Sequence, residues 1–215
     1  EAIKYHPNGI TTEGVFPAKE LPLPPSVGYL ARLCPLKGLD ILVDAFIGLK
    51  ESGKHEHLHL KIAGGMTDED VPFVEEQKSK LLRAGLNDCF SITPNISREE
   101  KFSFLKSLSI FSVPARYPEA FGLYVVEALL AGSPVVLPNT GAFPEIVEST
   151  RGGKLYDPSA SGAFTETLDE LLNDPQTTRS MGLKAHQAVL NTYSNEKLAK
   201  RLVDEVVSPL PVKQK

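Results

Sequence analysis

The chain has 215 residues, a formal net charge of −4, 41% hydrophobic residues and 23% charged ones. That length suits one substantial domain and is short for two, and the acidic balance argues against general nucleic-acid binding, which uses a basic face. No apolar run nears the roughly 20 residues of a membrane span, and Cys34 and Cys89 form neither a CxxC pair nor a disulfide framework, so a reducing, cytoplasmic setting is expected. The opening Glu-Ala-Ile-Lys, without Met, reads as a piece of a longer protein.

Residues 1–25 hold Pro-Asn-Gly, Glu-Gly and a proline-rich end, the composition of turns and linker. Residues 26–33 (SVGYLARL) read as a first strand, followed by a helical pattern at Leu39, Leu42, Val43 and Phe46 that stops near Gly53. Further strands are expected at 57–63 (HLHLKIA), 89–93 and 108–114. Between them lie a polar helix capped near Gly85 and a helix with capping-box spacing from Ser97 to Glu100. Residues 134–137 (PVVL) and 152–156 supply strands five and six, with a short helix at 145–148 between them.

The remainder is helical, with Ser159 or Asp157, Asp174 and Ser194 as N-cap signals. Residues 194–207 form an amphipathic last helix assigned to an interdomain region, and 208–215 form a tail. Strands alternating with helices predict an α/β fold: a doubly wound parallel sheet of about six strands over residues 26–193. Ligands in such sheets bind beyond the carboxyl ends of the strands.

Two loops at that edge carry chemistry. Arg32 and Lys37 stand five apart after the first strand and suit a diphosphate, Arg as a planar fork and Lys as a mobile point charge. The plainer reading is a solvated loop. Residues 122–130 are apolar apart from Glu127, and a carboxylate in such surroundings requires a partner. Arg32 or Lys37 would serve in a structural pairing; the hydroxyls of a ribose would serve in a functional one. Glu119 precedes the same helix, either as a loop carboxylate favourable to the dipole or as a partner for sugar hydroxyls. The helix start between them, Phe121-Gly122-Leu123, offers free N–H groups to an anion.

Other signals weigh less. Asp68-Glu-Asp70 opens a polar helix, where acidic residues are expected, so it is not assigned a metal. His55, His57 and His59 alternate like one strand face, but no further ligand accompanies them.

Glu119 and Glu127 enclose seven residues, and EAFGLYVVEALLAGSPVV resembles the E-x7-E region of group 1 glycosyltransferases, the retaining GT-B enzymes. GYLARLCPLKG resembles that family's G-R-L-x-x-x-K-G segment, Tyr5-His-Pro-Asn-Gly-Ile resembles its P-N-G segment, and Thr140-Gly-Ala-Phe-Pro-Glu-Ile-Val resembles G-G-x-x-E-(I/V)-V. The resemblance runs in order from about residue 5 to 205 and identifies the chain as a C-terminal, donor-binding domain.

The resemblance implies metal-independent transfer of a sugar with retention, from a UDP-, GDP- or ADP-linked donor and with no separate cofactor. Arg32 and Lys37 would hold the diphosphate, Glu127 the ribose, and Glu119 the sugar. The amides around Phe121, Gly122 and Leu123 would cap the distal phosphate, and the base would lie near residues 93–96. The acceptor site would belong to a missing N-terminal domain, which would also make any membrane contact. Arg116-Tyr117-Pro118 and Ala142 depart from the family pattern and leave the sugar open. A nucleotide-sugar-binding module without transfer and a GT-B-type epimerase remain alternatives.

Overall fold

The computed structural model describes residues 6–207, with side chains described to residue 205. Six parallel strands, β1 (Ser26–Leu30), β2 (His59–Gly64), β3 (Phe90–Pro94), β4 (Ile110–Phe111), β5 (Val135–Pro138) and β6 (Gly153–Tyr156), form one sheet in the order β3-β2-β1-β4-β5-β6. β1 is buried along its whole length and β5 likewise, as strands covered on both faces must be. Eight α-helices are present among the described residues: α1 (Leu39–Glu51), α2 (Val71–Arg83), α3 (Arg98–Lys106), α4 (Leu123–Leu130), α5 (Phe143–Thr150), α6 (Ala163–Asn173), α7 (Pro175–Thr192) and α8 (Asn195–Leu202). Helix α1 packs with α2 and α6, while α4 packs with α3 and α7, and α7 in turn with α5. The expected α/β, doubly wound parallel sheet is the fold found.

The strand order places the topological switch between β1 and β4. Chain leaving β1 goes to α1 and chain leaving β4 goes to α4, helices that pack against different neighbours, so a crevice opens between those two loops. That is where Arg32, Lys37 and Glu119 lie.

Several boundaries differ from the sequence pattern, each for a local reason. β1 ends at Leu30 because the Leu33 N–H turns to the carbonyl of Gly65 (2.8 Å) and the Tyr29 hydroxyl donates to the Arg32 carbonyl (2.8 Å). β4 is only two residues long, since Pro114 has no N–H to give and the Ala115 N–H bonds Val113 instead (2.8 Å). β2 starts at His59, so the three histidines do not share a strand face. His55 sits in the preceding turn, where its Nε2 lies 2.6 Å from Asp169.

The capping box at Ser97 and Glu100 forms as expected, as do the Asp174 and Ser194 caps. Asp157 does not cap a helix. It closes an Asx turn with the Ser159 N–H (2.8 Å), and α6 starts from Gly162.

Helix α4 is the centre of its face, with Val125, Val126, Ala128, Leu129 and Leu130 buried. Its last turn is closed by buried His186 of α7, whose Nδ1 lies 2.6 Å from the Leu130 carbonyl. α8 follows α7 and also meets residues 6–10. Ile10 exchanges backbone hydrogen bonds with Tyr193 and Asn195 (2.9 and 3.1 Å), and His6 Nε2 lies 3.0 Å from the Leu198 carbonyl. The segment before the sheet and the helix after it are thus held to each other. Residues 1–5 and the expected tail at 208–215 lie outside the described residues.

Candidate functional site

A short turn and an ion pair bring the crevice walls together. Pro35–Lys37 form a 3-10 turn that ends on Gly38, at φ 74°, before α1 begins. A β-carbon on Gly38 would stand 1.9 Å from the Pro114 carbonyl oxygen, so only glycine lets the β1 loop approach the β4 loop this closely. Arg116 then ties the loops with charge. Its guanidinium forks onto both oxygens of Asp40 (2.7 and 2.6 Å), and the Arg116 backbone N–H donates to the Leu36 carbonyl (3.0 Å).

This clamp sets Lys37 against Glu119. Lys37 Nζ donates to Glu119 Oε1, and the Tyr124 hydroxyl donates to the same oxygen (2.6 Å). Lys37 Nζ also stands 4.9 Å from the Tyr117 ring centre and 5.2 Å from that of Tyr124. Burial pushes the Glu119 carboxyl up, but the bonds from Lys37 and Tyr124 outweigh it and hold it below the usual carboxylate range. Burial likewise opposes the Lys37 ammonium, and Glu119 with the Tyr117 hydroxyl more than restores it. The Glu119 backbone is fixed from behind: the Ala142 N–H donates to its carbonyl (2.9 Å), where a β-carbon on Gly141 would lie 2.5 Å from the Glu119 nitrogen.

Gly122, buried at φ 82°, turns the chain into α4. The Val125 N–H already closes on the Gly122 carbonyl (2.9 Å), which leaves Leu123 and Tyr124 as the first-turn donors that helix geometry does not satisfy. Leu123 is exposed at this start, and Phe121 is half-buried with its ring 6.1 Å from that of Tyr193.

The structure corrects the expected structural pairing of Glu127. Its partner is neither Arg32 nor Lys37 but Lys101 of α3, whose Nζ lies 2.5 Å from Glu127 Oε1. Arg32 in turn pairs with Asp70 through Nε and a terminal nitrogen, both at 3.3 Å. Asp70, drawn low first by the Thr67 N–H and then by Arg32, completes a capping box with Thr67 in the acidic turn at 68–70. Among the described residues no cluster of three metal-ligating side chains occurs.

Lys37 and Glu119 are therefore in contact, while Arg32 and Glu127 stand in separate ion pairs. Arg32 borders a hollow of about 670 Å³ lined with Gly65, Met66, Thr67, Glu69 and Asn95. Asn95, at φ 54°, fixes that wall by bonding both the N–H and the carbonyl of Met66 (2.9 and 3.1 Å). Reading the sequence missed Lys101, Asp70, Asp40 and Tyr124. Two left a signal: Asp70 as part of an acidic helix start, and Tyr124 as a polar-tipped aromatic in an otherwise apolar run.

A family model described as glycosyl transferases group 1 matches residues 17–188. A D-inositol 3-phosphate glycosyltransferase of Corynebacterium efficiens is 29% identical over 165 residues, covering 77% of this chain and 38% of that protein. The sucrose-phosphate synthase of Thermosynechococcus elongatus has the same fold, at a TM-score of 0.80 and 23% identity, over 94% of this chain and 51% of that one. Anabaena HepE, solved in complex with UDP-glucose, matches at a TM-score of 0.73 and 23% identity, over 85% of this chain and 48% of that one. The chain thus spans about half or less of the length of these relatives. With four-fifths of its residues inside the family match, the chain belongs to the group 1 glycosyltransferases.

Proposed function

We propose that this chain is the donor-binding half of a retaining, metal-independent glycosyltransferase that takes a nucleoside-diphosphate sugar. The observation that carries the reading is the meeting of Lys37, Glu119 and the start of α4 at the switch point of a parallel sheet. Lys37 and Arg32 hold the diphosphate, and the amides around Phe121, Gly122 and Leu123 cap its distal phosphate. Glu127 receives the ribose hydroxyls, Glu119 the sugar hydroxyls, and the base lies by the 93–96 loop, beside the hollow that Arg32 borders. The HepE complex with UDP-glucose lends support, since that protein shares the fold.

In this reading Arg32, Lys37 and the Lys101 beside Glu127 each start with a carboxylate partner: Asp70, Glu119 and Glu127. Donor binding is then an exchange of ion pairs, in which Lys37 passes from Glu119 to phosphate. In the transfer step the bond from the anomeric carbon to the diphosphate oxygen breaks, a bond to the acceptor oxygen forms on the same face, and the acceptor hydroxyl's proton passes to the departing diphosphate oxygen. Negative charge develops on the leaving diphosphate, where the cations and helix amides stand. The acceptor site belongs to a further domain of the whole protein.

Calorimetry with UDP, GDP and ADP tests the reading. Saturable binding of at least one is expected; heat-silent titrations of all three, with the protein folded by circular dichroism, would sink it.

A further inference from the structure

Resting on that reading, we propose that Tyr124 is the positioning residue for Glu119: it holds the carboxylate aimed at the sugar when the diphosphate draws Lys37 away. Glu119 has three neighbours able to donate. Lys37 and Tyr124 bond its Oε1, and the Tyr117 hydroxyl adds to the hold. Lys37 is claimed by two anions once a donor enters, and its stem rises from a 3-10 turn at the crevice mouth. Tyr117 lies on the loop that the Arg116 clamp holds. Tyr124 is on a helix, and its ring lies 6.3 Å from Phe111 and 6.5 Å from Phe143, both fully buried. Of the three it is the donor with the most rigid support, and it carries no charge that phosphate could attract.

The chemistry suits the task. Burial and Glu119 itself push the Tyr124 phenol well above its ordinary range, so it remains an O–H donor at all working pH. Tyr124 also occupies the first turn of the helix whose start meets the phosphate, so the sugar-facing carboxylate and the phosphate cap are built on one rigid piece. Glu119 would then stay in place whether or not Lys37 is bonded to it.

The test compares each nucleoside diphosphate with a matching sugar: UDP with UDP-glucose, GDP with GDP-mannose, ADP with ADP-glucose. For whichever base the chain binds, Tyr124→Phe should weaken the nucleotide sugar about tenfold, as loss of a bond to a charged group does, and the free diphosphate less than about twofold. In a Glu119→Gln background the same change should leave the ratio of the two affinities alone. Equal weakening of both ligands, or no change in either, overturns the assignment. Should Tyr124→Phe fail to fold, Tyr124→Leu fills the space without a donor and is read the same way. A wild-type chain that binds none of the six sinks the donor reading and this inference with it. Binding with an unchanged ratio sinks only the role of Tyr124.

Discussion

Lys101 Nζ lies 2.5 Å from Glu127 Oε1, joining α3 to the carboxylate that interrupts the apolar run of α4. The Glu127 side chain retains 14% of its exposure and that of Lys101 25%, so the pair is neither free in solvent nor fully desolvated. Lys101→Met should destabilise the fold by about 1–2 kcal/mol, between the values for surface and buried pairs, because Glu127 then loses its partner. The double replacement Lys101→Met with Glu127→Leu should recover most of that stability and lose nucleotide binding. Chemical denaturation of the two variants checks the first point, and calorimetry the second.

Glu127→Ala separates the ribose from the phosphates. Nucleoside diphosphate should bind at least tenfold more weakly, and inorganic pyrophosphate within about twofold of wild type, since only the former presents hydroxyls. Equal losses would show that Glu127 acts through the phosphate site and not on the ribose.

Gly38 and Gly48 make a paired test of backbone argument. At Gly38, φ is 74° and a β-carbon would lie 1.9 Å from the Pro114 oxygen; Gly48, inside α1, has open space around it. Gly38→Ala should cost roughly 2–4 kcal/mol and separate Lys37 from Glu119. Gly48→Ala should gain roughly 0.5–1 kcal/mol. Thermal melts suffice, and a harmless Gly38→Ala would mean the two loops are not in this contact.

Stability should fall on the acid side. Burial lowers the His59 ring below its ordinary range, so its contribution is present above about 6.5 and is lost as pH falls through the folded value. Glu119 and Asp40 are held low by Lys37 with Tyr124 and by Arg116, against the upward push of burial; Asp70 is held low by Thr67 and Arg32. Their contributions are complete above the unfolded values near 4 and disappear below them. Lys37, raised, keeps its share until pH passes its own folded value, above about 10.4. Melting temperature should therefore decline gently from about pH 6.5 and steeply below about pH 4. A flat profile from pH 7 to 3 would contradict the ion-pair geometry.

By itself the sequence determined the fold class. Short apolar strands alternating with helical patterns leave a covered parallel sheet as the outcome, and its carboxyl edge as the place for chemistry. It also marked where α4 begins, because Gly122 and the apolar run after it are local facts. Strand ends were less legible: hydrophobic pattern says that Leu33 and Val113 are buried, not that the Leu33 N–H turns to Gly65 or that the Val113 carbonyl accepts from Ala115.

Tertiary structure alone decided the pairings. Lys37 and Glu119 are 82 residues apart, Lys101 and Glu127 are 26 apart, and Arg32 and Asp70 are 38 apart. Which cation meets which carboxylate depends on where crossovers deliver the loops, and no local pattern of charge encodes that. The physical reason is reach: periodicity reports contacts within a helix turn or along a strand, whereas this site is assembled from the ends of elements that the sheet order alone makes neighbours.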